Sequence, residues 1–251
     1  VSMTACSSKP AETAPATEAA APAETEAAGE ETEAKEAAAD TGDKELITVG
    51  YAQVGAESDW RTANTESFKS TFTEENGYKL IFDDAQQKQE NQIKAIRSFI
   101  QQDVDYIVVA PVVETGWETV LEEAKEAGIP VILSDRMMQV SDDSLFEAWV
   151  GGNFVKEGET CGNWLADYLE AQGRGDEEIN IVTIQGTIGA SAQVGRTEGF
   201  ANVLAEHSNW KMLDMQTGEF TQAKGQEVME SFLKSYDDID VVICENDNEA
   251  F

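Results

Sequence analysis

The sequence has little positive charge and almost no histidine. It contains one histidine and 17 lysines and arginines against 49 aspartates and glutamates, and its formal net charge is −32. A folded surface this acidic is not expected to bind nucleic acid or an anionic membrane, because both carry the same sign of charge. No run of residues is long and apolar enough to cross a membrane. The 251 residues are enough for one large domain or two small ones.

Cysteine is also scarce, with residues Cys6, Cys161 and Cys244 far apart in the chain. This spacing gives neither a zinc pattern nor a disulfide framework, and we expect no metal and no cofactor. Cys161 falls in a helical pattern and Cys244 in an apolar run, so both are predicted to be buried. With His207 as the single histidine, no Ser-His-Asp or Cys-His arrangement can be proposed, which argues against an enzyme.

The beginning of the chain lacks large apolar residues. Residues 1–6, VSMTAC, resemble the end of a bacterial lipoprotein signal peptide, in which the cysteine is lipidated, so Cys6 is the predicted lipidation site. Residues 7–45 contain no Val, Ile, Leu, Met, Phe, Tyr or Trp. Such an Ala/Glu/Thr/Pro segment cannot bury apolar surface and is predicted to be a disordered acidic tether. A low-complexity interaction tail is the alternative.

Apolar strand-like runs alternate with helical patterns from residue 46 onward. The predicted strands are 46–54, 78–84, 106–112, 131–135, 149–153, 179–186, 211–218 and 240–247, and the predicted helices are 60–75, 88–102, 116–127, 154–170, 191–206 and 221–236. Strands rich in Val and Ile that alternate with helices favour an α/β fold with parallel sheets covered on both faces. At 137–149 a strand follows a strand without a helix, so we predict two lobes, 46–152 and 153–251.

Polar and aromatic residues follow several of these strands. Ligands of open parallel sheets bind at the carboxyl ends of the strands, where side chains leave the core. In the stretch VILSDR, Asp135 can accept two hydrogen bonds and Arg136 can donate in a fork, and the neighbouring hydroxyls of a sugar need both kinds of partner. Trp60 and Phe220 could cover the apolar face of such a ring. A local ion pair and ordinary rim aromatics are the alternatives.

A set of motifs in this part of the chain is similar to a known family. The motifs are ESDWR, QQKQENQIKAIRSFI, APVVETGWE, SDR, QGTIGAS and GEFTQAKGQEVMESF. With them the chain, from about Leu46 to its end, resembles the type I periplasmic sugar-binding proteins of ABC transporters, of the ribose/galactose-binding class. Within that class it is most similar to the members that bind galactofuranose. The resemblance implies two Rossmann-like lobes joined by a hinge and closing on one sugar, and we expect the C-terminal part of that fold to be absent.

The resemblance also implies the residues that bind the sugar. Asp135 and Arg136 match the family's pair of gripping residues on the first lobe. The other positions that match ligand contacts are Trp60, Arg61, Asp84, Asn153, Arg196, Phe220 and Asp247.

The function that the resemblance implies is that of an extracytoplasmic solute-binding lipoprotein. It would be a monomer that captures a galactofuranose-like monosaccharide and delivers it to the permease subunits of an ABC importer. A lipid anchor would be its only contact with the membrane, at the outer face of the cell membrane or in the periplasm. An extracellular sensor that presents bound sugar to a membrane signalling receptor is the alternative. A transcriptional regulator of the lac-repressor type would need a basic helix-turn-helix N-terminus, whereas this N-terminus is acidic.

Overall fold

Strands and helices alternate over most of residues 45–251, the part of the chain that the computed structural model describes. The predictions made for residues 1–6 and 7–44, including lipidation at Cys6, lie outside the described residues. Within 45–251, no helix combines the length and the apolar character needed to span a membrane.

Every predicted strand and helix between residues 46 and 247 is present, with ends that differ by a few residues. The strands are β1 Ile47–Gln53, β2 Tyr78–Asp84, β3 Tyr106–Val109, β4 Val131–Ser134, β5 Ala148–Val150, β6 Ile179–Gln185, β7 Trp210–Thr217 and β8 Val241–Cys244. The helices are α1 Asp59–Thr71, α2 Gln89–Gln101, α3 Glu118–Glu126, α4 Phe154–Ala171, α5 Ser191–Leu204, α6 Gln222–Ser235 and α7 Asp247–Ala250. Two single 3-10 turns cover Glu74–Asn76 and Asp143–Leu145.

The first five strands form one parallel sheet in the order β2-β1-β3-β4-β5. One of its faces packs on α2 and α3 through a core that includes Phe99, Trp117 and Leu133. On the other face Tyr51 stacks on Phe68 of α1, with 4.1 Å between ring centroids. Both faces are therefore covered, which explains why these strands read as continuous apolar runs rather than as alternating ones.

The last three strands form a second parallel sheet in the order β7-β6-β8. Leu165 of α4 and Phe200 of α5 belong to the core on one of its faces, and Phe232 of α6 belongs to the core on the other. The backbones of α4 and α5 touch, since a Cβ on Gly199 would lie 2.0 Å from the carbonyl oxygen of Val155. Close packing of these two helices therefore depends on glycine.

The break in the alternation is explained by β5, which pairs with β4 and completes the first sheet. The chain between them makes a 3-10 turn at Asp143–Leu145 instead of a helix. The connection from β5 to α4 covers residues 151–153 and leads from one sheet to the other. We propose that the first lobe, 46–152, ends here and that the second lobe, 153–251, begins.

The prediction that both later cysteines are buried was wrong for Cys161, which is exposed, while Cys244 is partly buried. Helix α4 carries apolar residues on two of its faces. Gly162 and Leu165 are buried, whereas Cys161 lies on a side that also exposes Trp164. Three-to-four spacing identified the helix but could not identify which apolar face is buried.

Candidate functional site

A cavity of about 710 Å³ opens at the carboxyl ends of strands from both sheets. Residues that follow β1 and β4 line it from the first lobe, and residues that follow β7 and β8 line it from the second, together with the first turns of α4 and α5. Its size lies within the range of small-molecule sites in proteins. The rule that ligands bind at strand carboxyl ends therefore points to this cavity.

Seven of the nine predicted site residues line the cavity: Trp60, Arg61, Asp135, Arg136, Arg196, Phe220 and Asp247. The structure does not bring Asp84 and Asn153 to it. Asp84 ends β2 and is exposed, and its carboxylate accepts a hydrogen bond from the backbone N–H of Gln86 at 2.8 Å. Asn153 caps the N-terminus of α4, where its side-chain oxygen accepts from the backbone N–H of Lys156 at 3.0 Å.

The first-lobe side of the cavity is a buried cluster of two arginines and two carboxylates. Arg61 lies in the first turn of α1. Ser58 caps the N-terminus of this helix, and its hydroxyl oxygen accepts a hydrogen bond from the backbone N–H of Arg61 at 3.1 Å. The Nη2 of Arg61 donates to Oδ2 of Asp135 at 2.6 Å, and its Nε donates to Oε1 of Glu57 at 3.1 Å. Arg136 donates to the same Glu57 oxygen at 3.3 Å. The two positive charges are therefore matched by two negative ones.

Burial and neighbouring charges act in opposite directions on these arginines. For Arg61, burial acts to lower the pKa, but Asp135 and Glu57 outweigh it and the pKa is raised. For Arg136, burial together with repulsion from Arg61 lowers the pKa to about 10. Both guanidinium groups therefore stay charged at neutral pH and can donate charge-assisted hydrogen bonds.

Asp135 reaches Arg61 because the chain turns sharply after β4. Its φ is +64°, in the left-handed region that Asp and Asn tolerate better than most residues. Its backbone N–H donates to the carbonyl of Val150 at 2.7 Å, and its carbonyl accepts from Nε1 of Trp149 at 3.1 Å. These bonds to the neighbouring strand β5 hold the turn, so the carboxylate lies at the cavity wall with 14% of the side chain exposed.

The two predicted aromatic residues occupy different surroundings. Trp60 is 58% exposed at the rim, with the guanidinium of Arg61 4.9 Å from its ring centroid. Phe220 is only 3% exposed, and the guanidinium of Arg136 lies 5.0 Å from its ring. A Cβ on Gly186 would meet the same ring at 2.0 Å. Phe220 thus lines the cavity from the second lobe, but most of its surface is buried against neighbours that include Arg136 and Gly186.

Arg196, on α5, is the charged donor of the second lobe. Its Nε donates to Oε2 of Glu157 at 2.9 Å, and its Nη1 donates to the backbone carbonyl of Glu245 at 2.6 Å. Its guanidinium lies 5.2 Å from the ring of Phe154. Asp247, the first residue of α7, is exposed in the same wall of the cavity.

Two buried glutamates support this wall and were not predicted as site residues. Glu245 accepts from the backbone N–H of Gly186 at 2.7 Å and from the hydroxyl of Thr197 at 2.6 Å, and Glu249 accepts from the backbone N–H of Phe220 at 2.9 Å. Burial raises the pKa of each carboxyl to about 7. For Glu245 the available signal was an acid placed directly after the apolar strand β8. Glu57, also missed, follows β1 by four residues and opens the motif ESDWR, which was the available signal for it.

The chain combines two parallel sheets with a cavity of charged lining at the carboxyl ends of their strands. Residues 49–251 match the family described as periplasmic binding protein domain, and the chain belongs to it. Its fold is that of a type I periplasmic binding protein, as the sequence predicted.

Several relatives are similar over most of the described residues. The galactofuranose-binding protein of Escherichia coli (strain K12) is 50% identical over 189 residues, which are 75% of this chain and 58% of that protein. The arabinose transporter binding protein of Shewanella sp. ANA-3, solved with α- and β-L-arabinofuranose, matches with a TM-score of 0.75 and 51% identity over 81% of this chain and 66% of that one. A Mycobacterium smegmatis protein solved with β-D-fucofuranose matches with a TM-score of 0.78 and 49% identity over 82% and 66%. The chain thus spans less than two thirds of the length of these relatives.

Proposed function

We propose that this chain is part of an extracytoplasmic receptor that captures one monosaccharide in its furanose form and delivers it to the permease of an ABC importer. The observation that carries the proposal is the buried pair of Arg61 and Asp135, with 2.6 Å between Nη2 and Oδ2, at the wall of a cavity that both lobes line. The second lobe offers Arg196 and Asp247 in the same cavity.

The charges of the cavity favour a neutral polyhydroxylated ligand. Each arginine at the wall already has a carboxylate partner, which for Arg196 is Glu157 at 2.9 Å. An anionic ligand would have to compete with these carboxylates, whereas a hydroxyl can donate to a carboxylate and accept from a guanidinium at once. The furanose form is proposed because the relatives with 49–51% identity are named for or solved with furanose sugars.

Closure around the sugar would give the transporter a signal of occupancy. Hydrogen bonds join the lobes beside the cavity, from the Glu114 N–H to the Gly189 carbonyl at 2.8 Å and from the Met137 N–H to the Ser191 hydroxyl at 2.9 Å. A ligand that contacts both lobes stabilises the arrangement in which these bonds form. A lipid on Cys6 and the acidic tether would then keep the receptor near the permease and raise its effective concentration there.

Calorimetric titration of the protein with a panel of sugars tests this proposal. The panel is galactofuranose, arabinose, fucofuranose, ribose and fructose, and glucose 6-phosphate serves as an anionic competitor. We expect one-to-one binding of a furanose and no binding of the phosphorylated sugar. Tight binding of the phosphorylated sugar, or no binding of any sugar, would refute the assignment.

A further inference from the structure

Glu57 has a nearly fully buried carboxylate at the cavity wall. Its side chain is 2% exposed, and its Oε1 accepts from Arg61 at 3.1 Å and from Arg136 at 3.3 Å. Its second oxygen, Oε2, is buried and has no hydrogen-bond partner among the described residues. Glu57 therefore contacts both guanidinium groups through one oxygen atom, Oε1.

The two guanidinium groups repel each other, and the Oε1 of Glu57 accepts a hydrogen bond from both. Arg61 has a second carboxylate partner in Asp135 at 2.6 Å, but the same Asp135 oxygen lies 4.0 Å from Nε of Arg136. Apart from Glu57, Arg136 donates to the backbone carbonyl of Val112 at 3.3 Å. The position and charge balance of Arg136 therefore depend on Glu57 more strongly than those of Arg61 do.

Arg136 also forms a contact between the lobes. Its guanidinium lies 5.0 Å from the ring of Phe220, which is itself held in the second lobe by a hydrogen bond from its N–H to Glu249 at 2.9 Å. A cation over an aromatic face in a buried setting is a favourable contact whose strength depends on its geometry. The carboxylate that sets the position of Arg136 thus also sets this contact.

We propose that Glu57 is a positioning residue of the sugar site, which fixes Arg61 and Arg136 where they can donate to the ligand and where Arg136 meets Phe220. This inference rests on the proposed function. Hydroxyl recognition depends on donors held in place before the ligand arrives, because each donor that must be ordered on binding costs affinity. Glu57 would supply that order through the two arginines that its Oε1 holds.

The test is calorimetric titration of galactofuranose into the wild type and the Glu57→Gln variant. Glutamine keeps the shape of glutamate and one acceptor oxygen but carries no charge, so both arginines lose a charge-assisted hydrogen bond. We expect the affinity of the folded variant to fall at least about tenfold, since hydrogen bonds to charged groups are lost. The control is Glu123→Gln, which removes another glutamate from an arginine, Arg97, bound at 2.7 Å on an exposed surface away from the cavity. Its affinity should equal that of the wild type.

A double-mutant cycle separates positioning from a purely structural role. If Glu57 acts through Arg136, the loss from Glu57→Gln should be several-fold smaller in an Arg136→Lys background than in the wild type. A structural role alone would lower the unfolding free energy, measured in parallel, and leave the affinity of the folded protein unchanged. Should Glu57→Gln not fold, Glu57→Asp, which keeps the charge but is one methylene shorter, is judged by the same loss of affinity.

The outcomes distinguish this inference from the function on which it rests. A wild type that binds sugar and a Glu57 variant that binds it equally well would overturn the inference and leave the function standing. Equal losses in the wild-type and Arg136→Lys backgrounds would also overturn it. A wild type that binds no sugar would overturn both.

Discussion

Replacement of Asp135 is the most informative change at the cavity, because this residue combines a buried ion pair with an unusual backbone conformation. Its φ is +64°, and its carboxylate accepts from Arg61 at 2.6 Å. Asparagine tolerates the left-handed region and keeps one acceptor oxygen, whereas alanine keeps neither advantage. The two variants therefore remove different parts of what Asp135 contributes.

The magnitudes follow from these contacts. The Arg61 side chain is 3% exposed and the Asp135 side chain 14%, so solvent screens the pair weakly. Asp135→Asn loses a charge-assisted hydrogen bond but keeps a neutral one, which we expect to cost about 1–2 kcal/mol of unfolding free energy. Asp135→Ala leaves Arg61 with Glu57 alone and adds backbone strain, for a total of about 3–4 kcal/mol. Sugar affinity should fall in the same order.

The assay is chemical denaturation of the ligand-free protein, followed by calorimetric titration of each variant with the sugar that the wild type binds. Asp84→Asn and Asp84→Ala are the matched controls, because Asp84 also ends a strand of the first sheet but is exposed and lies outside the cavity. The unfolding free energy of Asp84→Asn should stay within about 0.5 kcal/mol of the wild type. That of Asp84→Ala, which also loses the hydrogen bond from the Gln86 N–H, should stay within about 1 kcal/mol. If the Asp135 variants matched these controls in both stability and affinity, the buried pair would contribute neither to the stability of the fold nor to sugar binding.

Three further changes test other parts of the structure. The pKa of Glu245 is about 7 in the fold against 4.5 ordinarily, so its carboxyl stabilises the fold fully below pH 4.5 and loses this contribution as pH rises to about 7. The unfolding free energy, measured by denaturation, should be lower at pH 7.5 than at pH 5, and Glu249, whose pKa is also about 7, contributes to this fall. Glu245→Gln should reduce the fall by about 2 kcal/mol, and an unchanged fall in the variant would contradict this. Gly199→Ala should lower the melting temperature by several degrees, because its Cβ would lie 2.0 Å from the Val155 carbonyl oxygen. Gly175→Ala is the control and should leave the melting temperature unchanged, because the atom nearest to its Cβ would be 3.6 Å away. Equal melting temperatures of the two variants would be inconsistent with close packing of α4 and α5. Trp60→Ala should weaken sugar binding several-fold with little change in melting, since the ring is 58% exposed, and unaltered affinity would exclude it from the site.

Local patterns predicted the order of elements along the chain well. The residues of β2 were predicted without error, and the predicted start of α4 at Phe154 is the observed one. Predicted β3 was longer than observed because its apolar run continues through residues 110–112, which are buried in the loop that leaves the sheet. Burial and strand conformation produce the same apolar pattern, so the sequence could not distinguish them.

The position of a strand in its sheet helps to decide whether a polar residue at its end reaches the cavity. Asp84 ends β2, which is the edge strand of the order β2-β1-β3-β4-β5, and the end of β4 lies three strands away, roughly 14 Å at the usual spacing. It therefore stays apart from Asp135. The side chain of Asn153 caps the N-terminus of α4 by accepting a hydrogen bond from the Lys156 N–H. Neither outcome could be read from the fact that a polar residue follows a strand.

The sequence by itself determined the alternation of strands and helices, the parallel α/β class and the set of polar residues at strand ends, because these follow from periodicity over a few neighbouring residues. Only the tertiary structure decided that Glu57 lies between Arg61 and Arg136 and that Phe220 packs beneath Arg136 from the other lobe. Glu57 and Arg136 are 79 positions apart in the chain, and no local pattern records which loops a sheet order brings together. The geometry of the cavity is therefore a property of the strand order and of the way the two lobes meet.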